Sequence, residues 1–214
     1  MPRSLPRLAV GVLAFVGAAC AGGTQQHSTA VRPRSPAAAA RADSGRPPYN
    51  AADVYFVSGM IGHHAQAVLM AGWAPTHGAS PLLRALCERI VVGQRDEITF
   101  MQRWLRERHE TVPDADASHD MMPGMDASHL MPGMLTPGQL MQLDSARGQE
   151  FDRLFLASMI RHHQGAISMV AQLFDAPGAV EDDVIFKFAS DVNADQTTEI
   201  DRMTRMLTAL PPAP

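Results

Sequence analysis

Two histidine pairs, His63-His64 and His162-His163, each follow a methionine by one helical turn, Met60 and Met159. A second methionine lies one to two turns further on, Met70 and Met169. Downstream of each pair stands a carboxylate followed by a methionine, Glu97 with Met101 and Glu199 with Met203. Thioether and imidazole on one helical face form a soft, neutral donor set, which suits copper and Cu(I) above all. A third group lies between the two halves. Residues 116–134 read DASHDMMPGMDASHLMPGM, a tandem repeat carrying His119, Met121, Met122, Met125, His129, Met131 and Met134. Pro and Gly every few residues prevent a helix there. A polar loop of this kind has no core to fill, so its methionines are candidate Cu(I) ligands, with an apolar lid over the domain as the other reading. Zinc would call for Cys or for more His at closed spacing. The chain has no CxxC or HExxH.

The elements that position these residues repeat. Aligning His63-His64 with His162-His163, an offset of 99, matches Phe56 with Phe155, Met60-Ile61 with Met159-Ile160, Ala67 with Ala166 and Met70 with Met169. At an offset of 102, Gln94, Glu97, Ile98, Met101 and Leu105 match Gln196, Glu199, Ile200, Met203 and Leu207. This is a duplicated two-helix unit. Phe56, Met60, His63, Ala67 and Met70 follow steps of 4, 3, 4 and 3, as do Ile90, Gln94, Glu97, Met101 and Trp104. That is the period of a helix seam. Helices are expected over about 50–73, 80–109, 137–174 and 179–209, bounded by Ser80-Pro81, Thr136-Pro137, Pro177-Gly178 and Pro211-Pro212. The expected fold class is all-α, a four-helix bundle made of two helical hairpins.

A bundle seam is ordinarily apolar, yet this one holds His, Glu and Gln twice over. Buried without partners, such groups cost a few kcal/mol each. They must bond one another or a metal, and both readings stay open on the residues alone. His63, Glu97, His162 and Glu199 are expected to point inward.

The repeated MIxHHxxAxxM, followed by QxxEIxxMxxWL, resembles the bacterial domain-of-unknown-function family 305 over about residues 50–210. The resemblance implies a ferritin-like four-helix bundle, and it implies metal binding because some members are periplasmic copper-binding proteins. It carries over to Met60, His63, His64, Met70, Glu97 and Met101, and to Met159, His162, His163, Met169, Glu199 and Met203. Met206 departs from the pattern where Trp104 predicts Trp, and Gly62 stands against Arg161. The Met-rich insert is a further departure.

Of the 214 residues 46% are hydrophobic and 19% charged, enough for a sizeable core. Residues 1–49 hold six Arg and one Asp. The rest holds 12 Lys and Arg against 21 Asp and Glu, an acidic domain that attracts cations and excludes nucleic acid as a partner. Arg3 and Arg7 precede an apolar run from Leu8 to Ala19, as in an export signal, and Gly17-Ala18-Ala19-Cys20 resembles a lipobox despite Gly17 in place of the usual Leu. The expected organisation is a signal peptide over 1–20 with Cys20 lipidated, a disordered tether over 21–48, and a bundle over 49–210 whose linker, 114–136, is rich in Met and His. Cys87, among Leu83, Leu86, Ile90 and Val91, is expected to be a buried thiol.

The expected function is that of an exported copper-binding protein without turnover. It would reside in the periplasm or cell envelope and meet the membrane through a lipid anchor only. It would need no organic cofactor, and a homo-oligomer or a copper-transfer partner stays open. One alternative is a structural or interaction bundle with a hydrogen-bonded polar core. Another is a di-metal carboxylate oxidase, which would use ExxH on two helices. Here Phe100 and Arg202 stand three residues after Glu97 and Glu199.

Overall fold

A computed structural model of the chain describes residues 48–116 and 130–212. The expected signal peptide, the tether up to residue 47, and His119, Met121, Met122, Met125 and His129 lie outside the described residues. Five helices lie within them: α1 (Ala51–Gly72), α2 (Pro81–Glu107), α3 (Pro137–Ser145), α4 (Gly148–Asp175) and α5 (Asp183–Ala209). None is long and apolar enough to cross a membrane.

Local chemistry sets the ends. Asn50 caps α1 in a reciprocal box with Asp53, and Ser80 caps α2 ahead of Pro81. Thr136 and Gln139 box the start of α3, and Asp182 caps α5. The single helix expected over 137–174 is in fact two. Ala146 and Arg147 are extended and Gly148 has φ +57, the left-handed region glycine tolerates. The cause is tertiary. Buried His77 donates through Nε2 to Asp144 O (2.8 Å) and Oδ1 (3.0 Å), and its own carbonyl accepts from Gly148 N (2.8 Å).

The long helices α1, α2, α4 and α5 form the bundle. Each hairpin, α1 with α2 and α4 with α5, packs along its length, and α1 packs on α4. The apolar core falls into two pseudo-symmetric clusters. One joins Phe56, Met60, Met101, Met169, Leu173 and Phe188, and the other joins Met70, Leu86, Phe151, Phe155, Met159 and Met203. The start of α1 therefore meets the end of α4 and the reverse, so the two helices run antiparallel. The repeat is also cross-linked reciprocally. Buried Asp53 accepts from Val180 N (2.9 Å), and its repeat partner, buried Asp152, accepts from Ser80 N (3.1 Å). Each half thus fixes the loop before the other half's second helix.

Candidate metal centre

Between the two apolar clusters lies a layer of four imidazoles. His63, His64, His162 and His163 are all fully buried. His63 and His162 meet where α1 crosses α4, their ring centroids 3.8 Å apart. His64 and His163 point toward the second helix of their own hairpin. His64 Nε2 donates to Glu97 Oε2 (2.6 Å), and His163 Nε2 donates to Glu199 Oε2 (2.7 Å). A carboxylate only accepts here, so Nε2 of both rings carries a proton. His63 Nε2 donates to the carbonyl of Pro132 (3.0 Å), and because burial keeps this ring neutral its lone pair is on Nδ1. The Nδ1 atoms of all four rings and Nε2 of His162 are buried with no hydrogen-bond partner. An N–H tied to an oxygen acceptor, with the other nitrogen bare, is the wiring of a metal-ligating imidazole.

Burial also fixes the protonation state. It holds His63 down to about 3, helped by neighbouring His64 and opposed by the Pro132 carbonyl. His162 lies well below the usual range, from burial first and then from the other three histidines. Both rings stay neutral, and so able to ligate, in mild acid. Met60, Met101 and Met169 flank the layer in one cluster, and Met70, Met159 and Met203 in the other, all buried. Each set draws on both halves of the repeat. Among the described residues no three His, Cys, Asp or Glu side chains converge to hold an ion.

Glu97 and Glu199 are not fully inside. Their side chains are 25% and 21% exposed, and they line a groove of about 240 Å³ between α2 and α5. Gln94 and Gln196 line it too, and so does Asp195, whose carboxyl is raised by partial burial and then by Glu97, Glu199 and Asp191.

The last part of the linker is a strap laid across α1 and α4. Leu135 is fully buried, and Gln66 grips its backbone twice, donating to its carbonyl (3.1 Å) and accepting from its N–H (2.7 Å). Gly133 has φ +79, and both it and Gly165 lie where a Cβ would strike the facing backbone. Met131 is half-buried against the first apolar cluster and receives the Tyr55 hydroxyl at its sulfur (3.8 Å), while Met134 is half-buried. The expectation that the linker methionines have no core to fill thus fails at Met131, because the strap is part of the core's cover.

The structure buries Met60, His63, His64, Met70, Met101 and their repeats Met159, His162, His163, Met169 and Met203 in the imidazole layer and the two clusters beside it, while Glu97 and Glu199 reach the layer from the partly exposed groove. It adds Met131 beside them. Sequence reasoning missed Gln66, and a signal was present. In the repeat alignment Gln66 faces Gly165, and these unlike partners mark the path of the strap. It also missed His77, Asp53 and Asp152, of which the two aspartates align in the repeat. Where Trp104 is buried and donates to Asp182 Oδ2 (3.1 Å), Met206 in the other half is only half-buried.

Duplicated helical hairpins around a buried imidazole layer define an all-helical bundle with a polar, sulfur-flanked centre. Within that class, the chain belongs to the family described as "Domain of unknown function (DUF305)", whose pattern matches residues 53–207. It resembles a DUF305 fragment from Deinococcus radiodurans, at 27% identity and TM-score 0.65, over 77% of this chain and all of that one (100%). A DUF305 protein from Streptomyces coelicolor, named as a candidate secreted protein, is 25% identical with TM-score 0.60, over 73% of this chain and 92% of that one. CopM in its Cu(II)-bound form is 31% identical with TM-score 0.58, over 73% of this chain and 95% of that one. CopM has also been solved with Cu(I). An uncharacterized protein of Acanthamoeba polyphaga mimivirus is 34% identical over 56 residues, 26% of this chain, and the match spans only 37% of that protein.

Proposed function

We propose that this protein binds Cu(I) in the cell envelope, for buffering, transfer or resistance and without turnover. The observation that carries the reading is the set of bare imidazole nitrogens in a fully buried layer flanked by methionine on both sides. A buried unpaired polar nitrogen is unfavourable, and a soft ion beside thioethers would relieve it. His63, His162 and their neighbouring methionines would form the inner site. Glu97 and Glu199 would act by holding His64 and His163 rather than by touching copper, since carboxylate oxygen is a hard donor. The linker donors Met121, Met122, Met125, Met134, His119 and His129 would capture the ion first, and Met131, half-buried against the first apolar cluster, would lie nearer the inner site. CopM, a structural relative at 31% identity, is known in copper-bound forms, which supports the same reading. The leader with Cys20 supports export and lipid anchoring, and Cys20→Ala should then release the protein from the membrane fraction.

A second reading has its own observation. The His64–Glu97, His163–Glu199 and His63–Pro132 bonds would fix helix register in a purely structural core. A Cu(I) competition titration separates the two. Replacing Met121, Met122, Met125, Met131 and Met134 with Leu should remove the surface equivalents, and His63→Leu with His162→Leu the inner one. A chain that competes for no Cu(I) at all supports the structural core.

A further inference from the structure

The four imidazoles of the layer are fully buried, so an ion that reaches them must cross the wall of the bundle. Two stretches of that wall suit a soft cation poorly. In the groove between α2 and α5, Glu97 and Glu199 hold the Nε2–H groups of His64 and His163, so hard oxygens stand in front of N–H groups rather than bare nitrogens. On α4, Ser158 and Arg161 line a cleft against α3, and the guanidinium charge there opposes a cation.

The face of α1 under the strap differs. Tyr55, Gly59 and His63 follow one another in steps of four, so they form one line along the helix. Tyr55 is 65% exposed, Gly59 is half-buried and His63 is fully buried, so the line runs from the surface to the layer. Gly59 leaves a notch in the wall, and Met131 fills it. A Cβ at Gly59 would strike Met131 Cε, and it would stand 3.3 Å from the Met131 sulfur and 3.5 Å from Met169 Cε. Two thioethers from different elements thus converge over the notch. The next strap residue, Pro132, is the one whose carbonyl accepts from His63. The notch belongs to one half of the repeat, because Ser158 stands at the matching position of α4.

We infer that the Gly59 notch is the route by which a soft ion enters the imidazole layer, with Met131 as the first thioether inside the surface and Met169 as the second, ahead of His63 and His162. The inference rests on the Cu(I) reading above. Both thioethers are neutral, so each transfer breaks one metal–sulfur bond as the next metal–ligand bond forms, with no proton released and no change of oxidation state. Methionine is unbranched and flexible, so its side chain can swing while the Pro132 and Leu135 hydrogen bonds keep the strap in place.

The test loads metal-free full chain anaerobically with the Cu(I)–acetonitrile complex and quenches it at set times with excess Cu(I) chelator. The inner ion is the equivalent that His63→Leu/His162→Leu lacks. Met131→Leu keeps the packing and removes the sulfur, and it is expected to fill the inner site to the same final level about tenfold or more slowly. Met141→Leu, which alters an exposed methionine on α3, is expected to load at the wild-type rate. Met131→Cys keeps a soft sulfur and loses bulk, so it is expected to load faster than Met131→Leu. Circular dichroism and amide exchange at Leu135 check that each variant keeps its helices and its strap. If either substitution at Met131 loosens the strap, Gly59→Ala, whose Cβ displaces the Met131 terminus, is expected to slow loading in its place. A wild-type loading rate in Met131→Leu, or Met131→Cys slower than Met131→Leu, overturns the route while the inner site still fills and the Cu(I) reading stands. A wild-type chain that takes up no inner ion refutes that reading and the route with it.

Discussion

Gly165 tests the strap through the sign of a stability change. In an exposed helix, replacing Gly with Ala stabilises by about 1 kcal/mol, because alanine loses less backbone entropy on folding. At Gly165 the added Cβ would run into the Pro132 carbonyl and Gly133 Cα, both of them backbone and unable to swing aside. The bundle can respond by straining, and a Cβ far inside contact distance of immobile backbone falls in the upper part of the overpacking range, about 2–3 kcal/mol. Alternatively it can let the strap lift. Lifting forfeits the two Gln66–Leu135 bonds and the His63–Pro132 bond, at about 1 kcal/mol each. Net of the propensity gain, Gly165→Ala should destabilise by about 1–2 kcal/mol. For a domain of this size the corresponding drop in Tm is about 2–8 °C. Gly62 is the control, since nothing lies within 4 Å of a Cβ there. Gly62→Ala should therefore stabilise by about 1 kcal/mol. Urea denaturation of metal-free protein gives both values, and amide exchange at Leu135 should quicken in the Gly165 variant alone. A Gly165→Ala protein as stable as the wild type, or more so, would refute the strap.

The buried imidazoles give a pH signature. His63 is held down to about 3 and His162 well below its usual range, whereas both titrate near 6.5 once unfolded. Below pH 6.5 the unfolded chain binds protons that the folded one refuses, so the stability of metal-free protein should be full above that pH and fall progressively toward pH 3. His162→Leu removes a ring with no hydrogen-bond partner at either nitrogen, so it should make the acid limb of a denaturation-against-pH profile shallower; an unchanged limb would count against burial as the cause. Burial pushes the Cys87 thiol up to about 12, with Asp152 adding to the effect. A thiol-specific disulfide reagent at pH 8 should therefore leave Cys87 unmodified in native protein and label it once denaturant unfolds the chain, and rapid native labelling would contradict the packing around it.

The duplication, the helical period and the polar seam were legible in the sequence because each is a local pattern. The 4, 3, 4, 3 spacing from Phe56 to Met70 puts five side chains on one face whatever lies opposite, and its copy from Phe155 to Met169 requires the same surroundings. Ser80-Pro81 and Thr136-Pro137 mark helix starts through backbone chemistry alone, and the structure places both starts there. The unlike partners Gln66 and Gly165 also carried information, but only the strap shows what they serve.

Tertiary structure decided the rest, because those features depend on groups far apart in the chain. His77 ends α3 by bonding Asp144, a contact across 67 residues that no local rule contains. Met131 becomes part of the core cover because Gly59 and Gly165 let the linker approach two helices at once. Sequence could place His63 and His64 side by side on one helix, but not send one to a linker carbonyl and the other to a glutamate. That division follows from the antiparallel crossing of α1 and α4, which turns His63 toward His162 and leaves His64 facing α2. Type and spacing determined which donors the protein owns; the packing of the two halves determined which of those donors remain bare.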